Sequence, residues 1–195
     1  MAAIRLPGSR LGLVLLLVLV TIIASTTAKA AVVAPPSFEA LVAAAGDIFL
    51  GQVTGRISRV EIRGTKRLIV TDVTFRVDEV VKGEPRRLAT LTFLGGSVGD
   101  VRMEVPGMPT FMVGDRDVVF VKRGRPTSMP IVGLFHGRFH VVTGPGGSGE
   151  YVANAARQPL STAADYAHPA RQAANARPLA LADFLRAIRD MTGRR

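Results

Sequence analysis

A stretch of alternating apolar and polar residues at positions 68–83 constrains the fold more than any other feature of the sequence. The apolar residues of one parity are Ile69, Val73, Phe75 and Val77, and the polar residues of the other are Asp72, Thr74, Arg76 and Asp78. Strict alternation predicts a β-strand with one buried and one solvent-facing side. Val80 then falls on the polar parity, and a β-bulge near Asp78 and Glu79 would account for this change.

This strand would span about 50 Å at roughly 3.3 Å per residue, which is too long for a flat strand in a small domain. A coiled, bulged strand shared by two sheet edges of a small barrel accommodates the length. Other strand-like runs, separated by turns, are found at 47–57, 89–93, 101–105, 118–121, 131–135 and 139–142 and begin again at Tyr151. In the first run, Gly51 and Gly55 predict a tight bend or a close backbone approach, and we expect a register shift near Ser58. The expected fold is therefore mainly β, an OB-like small β-barrel with a short N-terminal helix and a C-terminal amphipathic helix.

Residues 1–30 have the composition of a secretory signal peptide. Arg5 and Arg10 precede an apolar run at 11–24, and small residues continue to Ala30, after which we place the cleavage site. The expected organisation is a signal peptide at 1–30, a β-barrel domain at 31–154, a flexible connector at 155–178 and a C-terminal helix at 179–195. The protein is then exported, periplasmic or extracellular. The alternative is an inner-membrane anchor at 11–24, and only an uncleaved segment makes the membrane a partner.

The charge of the chain narrows the choice of partners. The chain has 25 basic and 15 acidic residues, and removal of 1–30, with Arg5, Arg10 and Lys29, leaves 22 basic residues and a net charge of +7. The basic residues are scattered and are not interleaved with aromatic side chains, so we expect no nucleic-acid partner. An unknown protein or an anionic envelope component is the expected partner. The chain has no cysteine, which excludes disulfides, thiol catalysis and thiolate metal sites.

Residues 95–99 match the nucleophile-elbow pattern of serine hydrolases, with Ser97 in the place of the nucleophile. The order of a catalytic triad can be completed with Asp115 or Asp117 and with His136 or His140. That chemistry needs the serine on a sharp strand-to-helix turn, beside backbone donors that form an oxyanion hole. No helical pattern follows Ser97, so we expect a loop residue and keep a serine hydrolase using Ser97 as the alternative.

Two further patterns are weighed against structural explanations. Gly144, Gly146 and Gly149 have the spacing of a dinucleotide fingerprint, but they lie between two strand-like runs and predict a hairpin loop. His136 and His140 share a parity with Arg138, and on a regular strand the two histidines lie about 13 Å apart, too far to bind one metal ion. We expect a surface pair. Solvated charges are likewise expected at Asp78, Glu79 and Glu84. The sequence predicts no catalytic, cofactor-binding or metal-binding residue, and no cofactor.

The segment 45–53, the hairpin after it and the strand 74–81 ending at Lys82 and Gly83 resemble the start of netrin-like domains. That family includes the tissue inhibitors of metalloproteinases, and the resemblance implies an OB-type barrel of five or six strands. The chain is also similar to exported bacterial proteins that carry such a segment followed by motifs like those at 94–96, 105–109 and 132–134. The inhibitors have an N-terminal cysteine and disulfides, which this chain lacks, so no functional residue is carried over.

Together these observations favour an exported, non-enzymatic binding or accessory module of unknown ligand, with a protein as one possible ligand. A serine hydrolase and a membrane-tethered structural domain of the envelope are the alternatives.

Overall fold

The computed structural model describes residues 35–124, 128–167 and 177–193, and the predicted signal peptide at 1–30 lies outside them. The strands are β1 (Ala45–Arg63), β2 (Lys66–Lys82), β3 (Leu88–Leu94), β4 (Gly96–Val98), β5 (Val101–Met103), β6 (Arg116–Lys122), β7 (Arg138–Thr143) and β8 (Glu150–Ala153). The α-helices are α1 (Phe38–Ala44) and α2 (Leu181–Thr192), and short 3-10 helices lie at Leu134–Gly137, Pro145–Gly147 and Ala163–Ala167. The predicted mainly β class, with a short N-terminal helix and a C-terminal helix, is confirmed.

Six strands form one antiparallel sheet in the order β3-β2-β1-β6-β7-β8, and β4 pairs with β5 in a separate hairpin. The sheet is not closed into a barrel, because among the described residues its two edge strands, β3 and β8, do not pair with each other. The outer edge of β8 is occupied by the chain that follows it. There Ala153 bridges to Pro159 and Tyr151 bridges to Ala180. These bridges satisfy the β8 edge that closure would have used.

The long alternating strand of the sequence is β2, and its bulge is confirmed. Leu50 of β1 lies opposite Glu79, whereas Gly51 lies opposite Val77, so Asp78 is the extra residue. Because of it, Val80 packs on the same core as Val77. The sequence predicts a register shift in β1 near Ser58, but in the pairing with β2 the extra residue of β1 is Thr54.

The glycine at position 51 permits the close approach of β1 to β2. A Cβ at Gly51 would lie 2.8 Å from the carbonyl oxygen of Arg76, which is closer than van der Waals contact. This explains one of the two glycines of β1, since only a residue without a side chain brings the two backbones this near.

Side chains of β1 alternate between two hydrophobic cores on opposite faces of the sheet. Ile48 and Leu50 enter the helix-side core, which is completed by β6, β7, β8, α1 and α2. Phe49 and Val53 enter the loop-side core, which contains Phe49, Val53, Val73, Phe75, Ala89, Leu91, Phe93, Phe111, Val119 and Ile131. Phe111 comes from the loop before β6, and its ring packs edge-on against Phe75 at 5.3 Å.

The helices cover one face of the sheet. Ser37 caps α1 through its hydroxyl, which accepts from the backbone N–H of Ala40 at 3.1 Å. The predicted helix at 179–195 is observed as α2, and its apolar stripe is buried as expected: Leu181, Phe184, Leu185 and Ile188. Within the three described segments, no helix has the length and apolar character needed to cross a bilayer.

Two stretches differ from the expectation. The predicted strand at 131–135 is reduced to a single bridge between Ile131 and Val121, followed by the 3-10 helix Leu134–Gly137. The predicted flexible connector is described over 155–167 and 177–178, and its first part is packed, since Leu160 and Tyr166 are buried in the helix-side core. In the first stretch Gly133 and Leu134 adopt positive φ and turn the chain out of the strand, and in the second, which has few apolar residues, tertiary contacts order the chain.

Candidate functional site

A buried network of charged side chains joins β6 to β7. Asp117 is fully buried, and Arg138 and His140 on the neighbouring strand are each 4% exposed. The Arg138 Nη2 donates to Asp117 Oδ2 at 2.9 Å and to Asp115 Oδ2 at 2.7 Å. The antiparallel register places Asp117 directly opposite His140, and His140 Nδ1 lies 2.8 Å from Asp117 Oδ1. Buried charges of opposite sign compensate one another here, as desolvation requires.

The same network fixes the loop before β6. Arg138 Nη1 donates to the carbonyl of Thr110 at 2.6 Å, and the Arg138 guanidinium carbon lies 3.9 Å above the ring centre of Phe111. Asp115 also accepts from the backbone N–H of Met112 at 2.9 Å. Burial acts to raise the pKa of Asp115, but the Met112 N–H and the Arg138 guanidinium outweigh it and hold that pKa below its usual value. The loop is therefore tied to the sheet through one arginine.

His140 presents one ring nitrogen that the network does not use. Its Nδ1 faces Asp117 Oδ1 at 2.8 Å. This contact meets the distance of an ion pair but is not a hydrogen bond. In the described part of the chain, Asp117 Oδ1 and Arg138 Nε are the buried side-chain atoms without a hydrogen-bond partner. Because Nδ1 faces Asp117, Nε2 of His140 is left for a group outside the network.

A cavity of about 580 Å³ opens beside this network, within the range of roughly 300–1,000 Å³ typical of small-molecule sites. Residues of the loop 107–110, the first 3-10 helix, β7, the segment 154–158 and the third 3-10 helix line it. The side chains that matter most for its chemistry are Met108, Phe135, His136, Arg138, His140 and Arg157. We call this cavity the histidine pocket.

Strained backbone occurs at two rims of the histidine pocket. Leu134 and Arg157 both have φ of 60°, and they are the non-glycine residues with positive φ in the described segments. That conformation is costly for residues with a side chain, and such strain concentrates at functional sites. Leu134 begins the 3-10 helix that carries His136, and Arg157 itself lines the cavity. Both rims are thus held in shapes that the chain alone does not favour.

Burial shifts the pKa values of two side chains in the pocket wall, His136 and Tyr166. The His136 ring lies 4.2 Å from the Phe135 ring and 5.8 Å from the Tyr166 ring, and burial lowers the pKa of His136. Burial, with a smaller effect of Glu39, raises the pKa of Tyr166 to about 12. The Tyr166 hydroxyl donates to the carbonyl of Pro36. Tyr166 is therefore uncharged at neutral pH.

The structure corrects the expectation for the histidines. They were expected to form a surface pair, but His140 is buried and both line one pocket, because the 3-10 helix turns the chain back between them. The sequence shows two histidines four residues apart, but not the Asp117 partner, which depends on the β6–β7 register. In the described segments, no group of three or more histidine, aspartate or glutamate side chains is placed to hold a metal ion.

The other sequence patterns fall outside this site. Ser97 lies in β4, opposite Arg102 of β5, so it is in a short hairpin strand and not in the expected loop. It is not among the residues that line the histidine pocket, whereas His136 and His140 are, with Asp117 behind His140. The loop with Gly144, Gly146 and Gly149 connects β7 to β8, as predicted.

The acidic residues at the end of β2 are held in ion pairs. Asp78 lies 3.0 Å from Arg116, and Glu79 pairs with Arg189 of α2. Glu84 is exposed in the turn after β2. These carboxylates therefore connect surface elements, and they are not paired with one another in the manner of catalytic acids.

A larger groove, of about 930 Å³, lies between β8 and α2. Its arginines are largely matched: Arg116 contacts Asp78 and Glu150, and Arg186 contacts Asp183. It has no buried unpaired polar group, so the histidine pocket is the better candidate. Comparison of the chain with protein-family models, with curated proteins and with solved structures finds no match, so the proposal below depends on the chemistry of this pocket.

Proposed function

We propose that this protein is a non-enzymatic binding module whose ligand occupies the histidine pocket. The observation that carries the proposal is His140, a nearly buried side chain that lines the cavity and whose Nδ1 lies 2.8 Å from Asp117 Oδ1. Apolar walls with a few convergent polar groups are typical of ligand sites. The residues lining this pocket include no serine, cysteine or lysine that could act as a nucleophile.

The proposal includes the location and ancestry expected from the sequence. A signal peptide at 1–30 would export the protein to the periplasm or beyond, where an unknown protein or an anionic envelope component is the source of the ligand. We further propose that the curved sheet around the loop-side core is related to the OB-type barrel of netrin-like domains. The long β1–β2 hairpin and the strand bulge at Asp78 support that relation.

The two alternatives have less support. A serine hydrolase requires Ser97 beside an acid–base pair, but Ser97 lies in a hairpin strand and is followed by no helix in its described surroundings. A membrane-tethered structural domain requires an uncleaved segment at 11–24.

Native mass spectrometry with a small-molecule extract of bacterial envelopes tests the binding function. Ala156 lines the histidine pocket and is exposed, so Ala156→Trp fills the cavity without disturbing a core. The matched control is Ala182→Trp, at an exposed position on α2. We expect the unchanged chain and the control to retain a bound compound that Ala156→Trp loses. An extract that leaves no compound on the unchanged chain, or an equal amount on Ala156→Trp, would contradict the proposal.

A further inference from the structure

We infer that the ligand of the histidine pocket is a monocarboxylate with an apolar body. This inference rests on the proposed binding function and names its ligand class. It starts from the charges around the cavity. The ionisable side chains that line it are His136, Arg138, His140, Arg157 and Tyr166, and none of them is a carboxylate.

The acidic residues of the site are placed behind the wall. Asp115 and Asp117 do not line the cavity, and both are engaged by Arg138. They hold the cationic side chains in position without exposing negative charge to a ligand. The pocket surface therefore presents donors and positive charge, which is complementary to an anion.

Two groups are available to bind the carboxylate. His140 lines the cavity, and its Nδ1 lies on the side of Asp117, 2.8 Å from Oδ1. Arg157 is 59% exposed at the side chain and makes one contact, at 3.2 Å, to Asp115. Its guanidinium therefore retains donors for an incoming group. The His140 ring nitrogen that does not face Asp117, together with the Arg157 guanidinium, would bind the two oxygens of one carboxylate.

The remaining wall accounts for the apolar body. The cavity lining includes the apolar residues Met108, Pro109, Phe135, Ala155 and Ala156. Phe135 is 39% exposed and lines the cavity, so its ring offers an apolar surface to a ligand. A fully hydrophilic anion would leave these surfaces unused, so the ligand has an apolar part as large as an aromatic ring.

Matched probes test the inference on the full chain. Phenylacetate and phenylacetamide have the same shape and differ in charge, and isothermal titration calorimetry measures both. We expect phenylacetate to bind at least about tenfold more tightly than the amide, the effect of a charge-assisted hydrogen bond to a ligand. N-acetyl-alanyl-phenylalanine and its C-terminal amide form a second pair of probes. Tighter binding of this peptide acid than of phenylacetate assigns the carboxylate to a peptide C-terminus, and the reverse assigns it to a small free acid.

A surface variant tests the placement. Arg157→Gln removes one positive charge at an exposed rim and should weaken phenylacetate binding about threefold to fivefold. The control Arg186→Gln removes the same charge from the exposed face of α2 and should leave binding unchanged. In the nuclear magnetic resonance spectrum of the unchanged chain, phenylacetate should shift the imidazole signals of His136 and His140, and the amide should not. This readout does not depend on a buried variant that fails to fold.

Three outcomes would overturn the inference. They are equal binding of acid and amide, an equal loss in both arginine variants, and no binding of either acid. If acid and amide bind equally and both shift the histidine signals, the carboxylate inference fails but the binding function is still supported. The binding function itself is tested separately, by the envelope-extract experiment with Ala156→Trp.

Discussion

The central strand offers a sharp test of the fold through two neighbouring residues, Phe75 and Arg76. Phe75 is fully buried, and its ring packs against Phe49 at 5.5 Å and Phe111 at 5.3 Å, both edge-on. Arg76 points to the other face, where its side chain is 59% exposed. Phe75→Ala removes the ring that joins the two strands to the loop before β6, and Arg76→Ala removes only surface contacts.

The expected magnitudes follow from burial. A buried phenylalanine removes about 150–250 Å² from water, and at about 25 cal/mol per Å² this corresponds to roughly 4–6 kcal/mol before the retained Cβ is subtracted. Subtracting the Cβ that alanine retains brings the expected loss for Phe75→Ala to about 3–5 kcal/mol, the range typical of buried phenylalanines. Arg76 has a 3.4 Å ion pair with Asp78, and such an exposed pair is worth at most about 0.5 kcal/mol here.

Urea unfolding of the two variants measures these losses, and an unchanged slope of free energy against urea shows that both unfold in the same way. A loss of about 3–5 kcal/mol is a large share of the roughly 5–15 kcal/mol expected for the whole domain. A greater loss for Arg76→Ala than for Phe75→Ala would refute the reasoning, because the side-chain parity of β2 would then be reversed.

Four further outcomes are expected. Asp117→Asn should cost about 3 kcal/mol in urea unfolding because Arg138 then lacks a buried carboxylate, and a loss below about 1 kcal/mol would contradict the network. Burial lowers the folded-state pKa of His136, so its neutral form contributes stability that is present above the unfolded pKa of about 6.5 and is lost as pH falls through the folded value. The melting temperature should therefore fall less in His136→Gln than in the unchanged chain between about pH 7.5 and about pH 5.5, and equal falls would oppose this. Ser97→Ala should leave stability within about 0.5 kcal/mol, and labelling of the unchanged chain by a fluorophosphonate that is lost in this variant would support a hydrolase. N-terminal sequencing of exported protein should begin at Ala31, and chains that start at Met1 in the membrane would indicate an anchor.

Local periodicity explains why β2 could be predicted. The alternation of apolar residues records which side of the strand is buried, and the change of parity at Asp78 records the extra residue directly. The shift in β1 was placed too late because Gly55 interrupts the apolar pattern there. Thr54 is the unpaired residue, and its hydroxyl donates to the carbonyl of Thr74 at 3.3 Å, a contact that no pattern in a single strand reveals.

Closure of the sheet depends on distant segments and could not be predicted from the strands alone. The edge of β8 is covered by residues 158–160 and 179–180. The first of these lies in a stretch rich in alanine and arginine, which has little apolar bulk and was therefore expected to be flexible. This stretch is anchored to β8 by the N–H of Leu160, which donates to the carbonyl of Val152, and by the N–H of Asn154, which donates to the carbonyl of Gln158. Its order therefore comes from tertiary contacts.

The histidine pocket was missed for a similar reason. His136, Arg138 and His140 were recognised as neighbours of one parity, but that interpretation required a regular strand from 131 onward. Gly133 and Leu134 instead both adopt positive φ, and the chain turns there. The sequence offers one signal of this turn, Gly133 followed by Leu134 and Phe135. The partner Asp117 could not be predicted, because its position opposite His140 depends on the pairing of β6 with β7.

The alternation of β1 between two cores has a consequence for how the molecule comes apart. Ile48 and Phe49 are adjacent in the chain, but they are anchored in different cores on opposite faces of the sheet. If either core were to open, β1 would lose one of its two supports, and the pairings with β2 and β6 would weaken together. The two halves therefore form one cooperative unit, in which the slowest-exchanging amides of both faces report the same global opening. A partner that pulls on the N-terminal end of β1 acts on the whole domain at once.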